Sequence, residues 1–319
     1  MAVRIGFIGT GGIANHHLNI LPSIERAHLV SFSDVVEEKA HAAAERFKGT
    51  AYSDYRQMLA SEDLDAVYVC LPPFAHGDPE MAVIEHNLNL FVEKPLSTEL
   101  SVAQDISEAV DQADVTAVVG YNWRHQDTTD KALEVLKGKR PVLGIGYWIG
   151  GTPGVDWWRV KAQSGGQIVE QTTHVFDTAR YLMGEVVSVY AAGSNGLVND
   201  MPHYDVDDAS TVSLTFENGA VASILSSCIA DQGYGTEMQV ITPGMNIKLG
   251  SNLTVEENGR TTIYKGKRDP YQFESKLFLE AVESGNRSKL RATYADGVKT
   301  LAVTLAANQS IETGEVVRL

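Results

Sequence analysis

Val3-Arg4-Ile5-Gly6-Phe7-Ile8-Gly9-Thr10-Gly11-Gly12-Ile13-Ala14 is the stretch on which the reading of this 319-residue chain turns. Its first six residues are mostly apolar, the mark of a strand buried on both faces. Gly9, Gly11 and Ala14 then fit a G-x-G-x-x-A turn that opens a helix over 13–21. In such a turn the first glycine permits the tight bend. The second lets the backbone approach a diphosphate, and the small third residue lets helix and strand pack closely. The N–H groups and dipole at the helix N-terminus favour an anion there. Asp34 ends the next apolar run, 29–33, twenty residues beyond Ala14. A carboxylate at that place accepts hydrogen bonds from both hydroxyls of an adenosine ribose and repels a 2′-phosphate. Strand, glycine turn, helix and acid together predict a dinucleotide site on Gly9, Gly11, Gly12, Ile13 and Asp34, with NAD preferred to NADP.

Outward from this stretch, short apolar runs at 66–70, 90–92 and 116–119 alternate with helical patterns at 37–47, 79–86 and 102–112. That alternation predicts an α/β fold whose N-terminal domain, 1–121, is a Rossmann doubly wound parallel sheet. After Gly120 the pattern changes. A helix over 129–136 precedes a strand over 144–150, and a long helix is expected over 168–183. Strands follow at 187–192, 209–217, 220–227, 237–242, 245–249, 253–256 and 261–264, then helices at 273–283 and 294–313. Asn218-Gly219 reads as a hairpin turn. The second domain, 122–319, is therefore expected to be α+β with an open, mainly antiparallel sheet.

Composition narrows the partners. The net charge of −15 argues against nucleic acid and anionic membranes, because phosphates would be repelled. Cys70 and Cys228 supply neither a disulfide framework nor a zinc pattern. There is no signal segment and no apolar stretch long enough to span a bilayer, so a cytoplasmic location is expected. No metal is expected either. His16-His17 lies in the first helix without nearby acids and reads as surface, and His203, Asp205, Asp207 and Asp208 read as a solvated loop.

Glu93-Lys94-Pro95 ends a strand on the side where α/β sheets bind ligands. A lysine there can hold positive charge near a developing alkoxide. The glycine turn, Leu71-Pro72-Pro73-Phe74-Ala75-His76 and Glu93-Lys94-Pro95 occur in this order, followed by Gly165-Gly166, Glu170 and His174. Over essentially its whole length the chain resembles the glucose-fructose oxidoreductase / inositol dehydrogenase (Gfo/Idh/MocA) family.

That resemblance implies a Rossmann domain, a second domain with an open sheet, and hydride exchange between nicotinamide and a secondary alcohol. The substrate would be a sugar, sugar derivative or cyclic polyol. Lys94 takes the place of the family's lysine, with Glu93 near the nicotinamide ribose and Leu71, Pro72, Pro73 and His76 flanking the cofactor. His174 takes the catalytic histidine's place. Glu170 stands where an aspartate is usual, four residues earlier and so on one helical face with it. Thr172 replaces a glycine, and both departures are expected to alter the space around the substrate. Whether His174 or Lys94 accepts the proton stays open, and Asp177 competes with Glu170 as the imidazole's partner. Asn122 is a candidate for nicotinamide. Arg124, Trp157, Trp158, Arg159 and Tyr271 are candidates for substrate, since rings suit the apolar faces of sugars and arginines their hydroxyls. A homo-oligomer, dimer or tetramer, is expected. The rival readings are a glycosidase or lyase using transient oxidation, prompted by Glu170 and Thr172, and a non-catalytic NAD-responsive binding protein.

Overall fold

The computed structural model describes residues 2–230 and 232–319. The chain begins with β1 (Val3–Ile8), α1 (Gly12–Ile20), β2 (Ala27–Ser33), α2 (Glu37–Phe47), β3 (Thr50–Tyr52) and α3 (Tyr55–Ser61). Next come β4 (Ala66–Val69), α4 (Asp78–Glu85), β5 (Asn89–Val92), α5 (Leu100–Ala113) and β6 (Ala117–Val119). After α6 (Asp127–Leu136) and β7 (Leu143–Ile149), a 3₁₀ turn at Asp156–Arg159 leads into α7 (Lys161–Ser164), α8 (Gly166–Glu170) and α9 (Thr173–Met183). The rest is β8 (Val186–Ser194), β9 (Ala209–Phe216), β10 (Val221–Ser227), β11 (Gly235–Thr242), β12 (Met245–Leu249), β13 (Asn252–Glu257), β14 (Arg260–Lys265), α10 (Pro270–Ser284), α11 (Tyr294–Thr313) and β15 (Val317–Arg318).

Among the described residues the strands form two sheets, ordered β3-β2-β1-β4-β5-β6 and β14-β13-β12-β11-β7-β10-β9-β8-β15. The chain divides into two units, the first comprising 1–122 and 269–298 and the second 123–268 and 299–319. α10 counts with the first unit because Phe278 and Leu279 are buried in that unit's core.

In the first unit the five pairings between its described strands are all parallel, and β6 adds one isolated antiparallel bridge from Val118 to Thr293. Register sets Phe32 beside Phe7, Phe7 beside Tyr68, and Tyr68 beside Phe91 on four adjacent strands. The rings stack at 6.2, 5.0 and 4.4 Å between centroids, so one aromatic ladder crosses the sheet. Each such contact adds about 0.5–1.5 kcal/mol beyond area burial. The strand order reverses direction at β1, the crevice where such sheets hold ligands at their carboxyl ends.

In the second unit the pairings are antiparallel except for β7 with β10. Burial alternates along β9, as expected for a sheet covered on one face. α9 lies close on β7 because Gly144 and Gly146 leave room. A Cβ on Gly144 would stand 2.7 Å from Met183 Sδ, and one on Gly146 would stand 2.5 Å from Val175 Cγ1. Asn218-Gly219 forms the turn between β9 and β10, with Gly219 at φ +83°.

Candidate functional site

In the first unit the turn after β1 divides its glycines by purpose. Gly9 has φ +85°, and a Cβ there would lie 2.4 Å from the Cys70 carbonyl oxygen, so the fold itself excludes a side chain. A Cβ on Gly11 or Gly12 would meet nothing within 4 Å. The space outside these two is room for a ligand. No side chain caps α1 at Gly11, so its first-turn N–H groups, Ile13 included, can face an anion. The Asp34 carboxylate takes hydrogen bonds from Thr10 N at 2.9 Å, Thr10 Oγ1 at 3.1 Å and Val36 N at 2.9 Å, which ties it to the glycine turn. Val35 beside it is 93% exposed, an apolar surface that motif reading did not single out.

Behind this edge, several residues assigned to the cofactor turn inward. Leu71 and Pro72 are half-buried and Pro73 is buried. His76 is buried, with Nδ1 on the Glu80 carboxylate and Nε2 3.2 Å from the Leu71 carbonyl oxygen. Both ring nitrogens are engaged within the protein, Nε2 at the start of the Leu71–Pro73 segment and Nδ1 on α4. Glu93 is also buried. Its Oε1 lies 2.7 Å from His17 Nε2, and its Oε2 accepts the Lys94 backbone N–H at 3.1 Å. Lys94 itself is half-buried.

His17 corrects the sequence reading. His16 is exposed, but His17 has no exposed surface and packs on Phe91 and Tyr68 at 5.1 and 5.4 Å. The signal was the helical spacing Ala14, His17, Leu18, Leu21, which is the buried face of α1. Tyr271 lies edge-on to His16 and His17, with its hydroxyl against Asn122. Burial, with the Glu93 and Glu274 carboxyls nearby, pushes the Tyr271 phenol above its ordinary range. Asn122 is buried, and its Oδ1 has no hydrogen-bond partner. A buried acceptor in that condition fits the N–H of a carboxamide.

In the second unit the helix expected over 168–183 is broken. α8 stops at Glu170 and α9 starts at Thr173, while Gln171 N and Thr172 N both bond to the Gln167 carbonyl. The spacing of four between Glu170 and His174 is therefore not carried by one continuous helix. Glu170 Oε2 accepts the Trp158 indole N–H at 2.8 Å. Trp158 is fully buried in a cluster with Val206 and Cys228, so it presents no face to a substrate. It is a donor to Glu170. Trp157 is half-buried against the same cluster. Arg159 pairs with Asp156 at 3.3 Å.

Thr172 is fully buried, with Oγ1 2.9 Å from Ser226 Oγ on β10. It turns toward the sheet, and the expectation that it alters the substrate space is corrected. Asp177 is committed elsewhere than to an imidazole. Arg124 grips it through Nε and Nη2 at 2.7 and 2.6 Å, and Thr300 Oγ1 donates at 2.9 Å. Arg124 is thus buried in a bidentate ion pair over the Tyr181 ring, rather than facing sugar hydroxyls as expected.

His174 is buried and flanked by two indoles that were not among the candidate site residues. Trp123 lies 5.7 Å away at 16° and Trp148 lies 6.0 Å away at 20°. Trp148 shares the helix-facing side of β7 with Gly144 and Gly146, and strand alternation carried that signal.

The acidic loop is internally tied. Asp205 accepts Lys161 N at 2.5 Å, Asp207 faces Lys161 Nζ at 3.5 Å, and Asp208 accepts Leu197 N at 2.8 Å. Among the described residues no cluster of His, Cys, Asp and Glu is arranged to hold a metal ion. No helix among them is long and apolar enough to cross a membrane.

Residues 3–121 match the model of the oxidoreductase family with an NAD-binding Rossmann fold, and residues 145–244 match the GFO/IDH/MocA C-terminal domain. The chain is 32% identical to myo-inositol 2-dehydrogenase of Thermotoga maritima, across 99% of this chain and 98% of that one. The chain belongs to the GFO/IDH/MocA family. The protein is accordingly an oxidoreductase of that family, with a nicotinamide-dinucleotide-binding first unit. It is also 25% identical to D-xylose 1-dehydrogenase (NADP(+)) 2 of Haloferax volcanii, across 99% of this chain and all of that one. The fold matches an Agrobacterium radiobacter oxidoreductase solved with NAD+, L-tartaric acid and magnesium, at a TM-score of 0.89 and 20% identity over 100% of this chain and 98% of that one.

Proposed function

We propose that this GFO/IDH/MocA enzyme oxidises a secondary alcohol of a cyclic polyol or sugar with NAD as the hydride carrier. The observation that carries the reading is the setting of His174, an imidazole lying nearly parallel to the indoles of Trp123 and Trp148. Such rings suit the C–H faces of a cyclic polyol, while the imidazole takes a hydroxyl proton. Inositol and xylose dehydrogenases among the relatives support the same substrate class.

The nicotinamide, when bound, supplies the hydride acceptor. Gly11, Gly12 and the first turn of α1 would hold its diphosphate, Asp34 its adenosine ribose and Asn122 its carboxamide. His174 takes the role of proton acceptor for the alcohol, and Lys94 that of a positive charge for a developing alkoxide. Glu170 stays beside the reaction, its position set by Trp158. The preference for NAD rests on Asp34, followed by the uncharged Val35 and Val36, which offer nothing to a 2′-phosphate. Self-association through the outward face of the nine-stranded sheet, where Tyr190 and Val221 are exposed, completes the proposal and is checked by light scattering.

The test is a screen of sugars and inositols with NAD and NADP side by side, followed by K94A and H174A on the best substrate. Each variant is expected to lose roughly 10³-fold in kcat with cofactor Kd within about 3-fold of wild type. Near wild-type turnover in either would sink the assignment of that residue.

A further inference from the structure

We propose that His17 is a positioning residue for Lys94, acting through Glu93. The inference rests on the role proposed for Lys94 and extends it to a side chain with no expected contact to substrate or cofactor.

His17 stands five residues after Gly12 on the buried face of α1, the helix whose N-terminus is read as the diphosphate site. Its ring is wedged against Tyr68 and Phe91, two rungs of the aromatic ladder, so its orientation is set by the core. From that fixed ring, Nε2 meets Glu93 Oε1 at 2.7 Å. The other oxygen of the same carboxyl accepts the backbone N–H of Lys94 at 3.1 Å.

Glu93 has little room to do otherwise. A Cβ on Gly120 would lie 2.9 Å from its Oε1, so the sheet approaches the carboxyl closely there. Its side chain is 3% exposed, and that of His17 is 0% exposed. Buried polar contacts of this kind hold a single geometry, because neither partner has water to turn to. Helix α1 and the backbone of Lys94 are thereby joined by one carboxyl. When that carboxyl loses its anchor, the loop after β5 relaxes and the ammonium with it.

The experiment compares H17F, H17Q, E93Q and the double variant H17F/E93Q in the full chain. H17F keeps an aromatic ring on Tyr68 and Phe91 and removes the hydrogen bond, whereas H17Q keeps an N–H donor. For H17F the expected result is a kcat loss of about 10- to 100-fold, with KM for alcohol and Kd for NAD within about 3-fold. Hydrogen exchange at the Lys94 amide should accelerate about 10-fold or more, read without cofactor or substrate. H17Q should recover part of the kcat, and the double variant should be no slower than E93Q.

Unchanged kcat and unchanged Lys94 amide exchange in H17F would overturn the proposal. So would parallel losses of kcat, cofactor affinity and thermal stability in every variant, the pattern of a merely structural role. If H17F does not fold, H17Q and E93M carry the same test, E93M because it leaves no oxygen to accept the Lys94 N–H, and ordinary exchange at Lys94 in E93M overturns it. Retained activity in K94A would instead remove the role proposed for Lys94, while the exchange measurement still decides whether His17 anchors that backbone.

Discussion

The turn after β1 is shaped by backbone, and the segment before His174 is shaped by side chains. In the turn, Gly9 is dictated by a carbonyl oxygen 2.4 Å from where its Cβ would be, whereas a Cβ on Gly11 or Gly12 would meet nothing within 4 Å. Around α9, Glu170 answers to Trp158, Thr172 to Ser226, and Asp177 to Arg124 and Thr300. The first kind of site is stored in a few consecutive residues. The second depends on partners 12 to 123 positions away. A motif therefore describes the geometry of the first more fully than that of the second.

The contrast is broken most forcefully at Arg124. If the residues around α9 are held by this side-chain network, R124M strands the buried Asp177 carboxylate with Thr300 and costs roughly 3–5 kcal/mol. Replacing both partners with apolar residues should restore much of it, because the stranded charge is what costs. Denaturant unfolding of the single and double variants measures this. A loss below about 1 kcal/mol for R124M would mean that the pair does not hold the segment.

A smaller effect separates the glycines of the turn. G9A forces a Cβ into backbone at φ +85°, and roughly 2–3 kcal/mol of stability should be lost. G11A adds a Cβ that meets nothing in the chain, so stability should change by less than about 0.5 kcal/mol. Its cofactor affinity should fall about 10-fold or more, because the methyl occupies the ligand's space. Equal stability losses in the two variants would erase the distinction between a fold glycine and a ligand glycine.

These effects also mark how far the sequence could be read. Most helices and strands follow from periodicity, but the short helices α3 and α7 escaped it. β3, at Thr50–Tyr52, escaped because one exposed and two half-exposed edge residues carry no apolar run. The break at Gln171-Thr172 escaped because the pattern over 168–183 is apolar enough for one helix, and only the hydrogen bonds to Gln167 show otherwise. The return of α10 to the first unit leaves no local mark at all, since Phe278 and Leu279 would suit either core. In the site, the turn geometry of Gly9 and the tie of Asp34 to Thr10 follow from a few neighbouring residues, which is why a local motif points to them. Trp158 and Arg124 were misassigned because residue type alone cannot distinguish a ring or cation facing a sugar from one facing the core. His17 was legible in principle, on the same face of α1 as Ala14 and Leu18, once its helical spacing is given more weight than its polarity.

The smallest effect compares two buried carboxyls. Asp177 in the second unit faces a guanidinium, whereas Glu274 in the first is fully buried with Glu93 and Asp269 as charged neighbours. Burial, then those two carboxyls, pushes Glu274 well above its ordinary value. The folded chain thus keeps a proton that the unfolded chain releases near pH 4.3. Above that pH the native state binds more protons than the unfolded one, so this group's contribution to stability falls as pH rises toward the folded value. Below about pH 4 both states are protonated and the term vanishes. E274Q removes the titration while keeping the shape. Its apparent unfolding midpoint should exceed that of wild type by roughly 3 °C at pH 7.5, and the difference should close as pH falls to 4, with terms common to both proteins cancelling. A gain that persisted unchanged at pH 4 would assign the effect to packing, and a loss at pH 7.5 would show that the Glu274 carboxyl is held by contacts worth more than its desolvation.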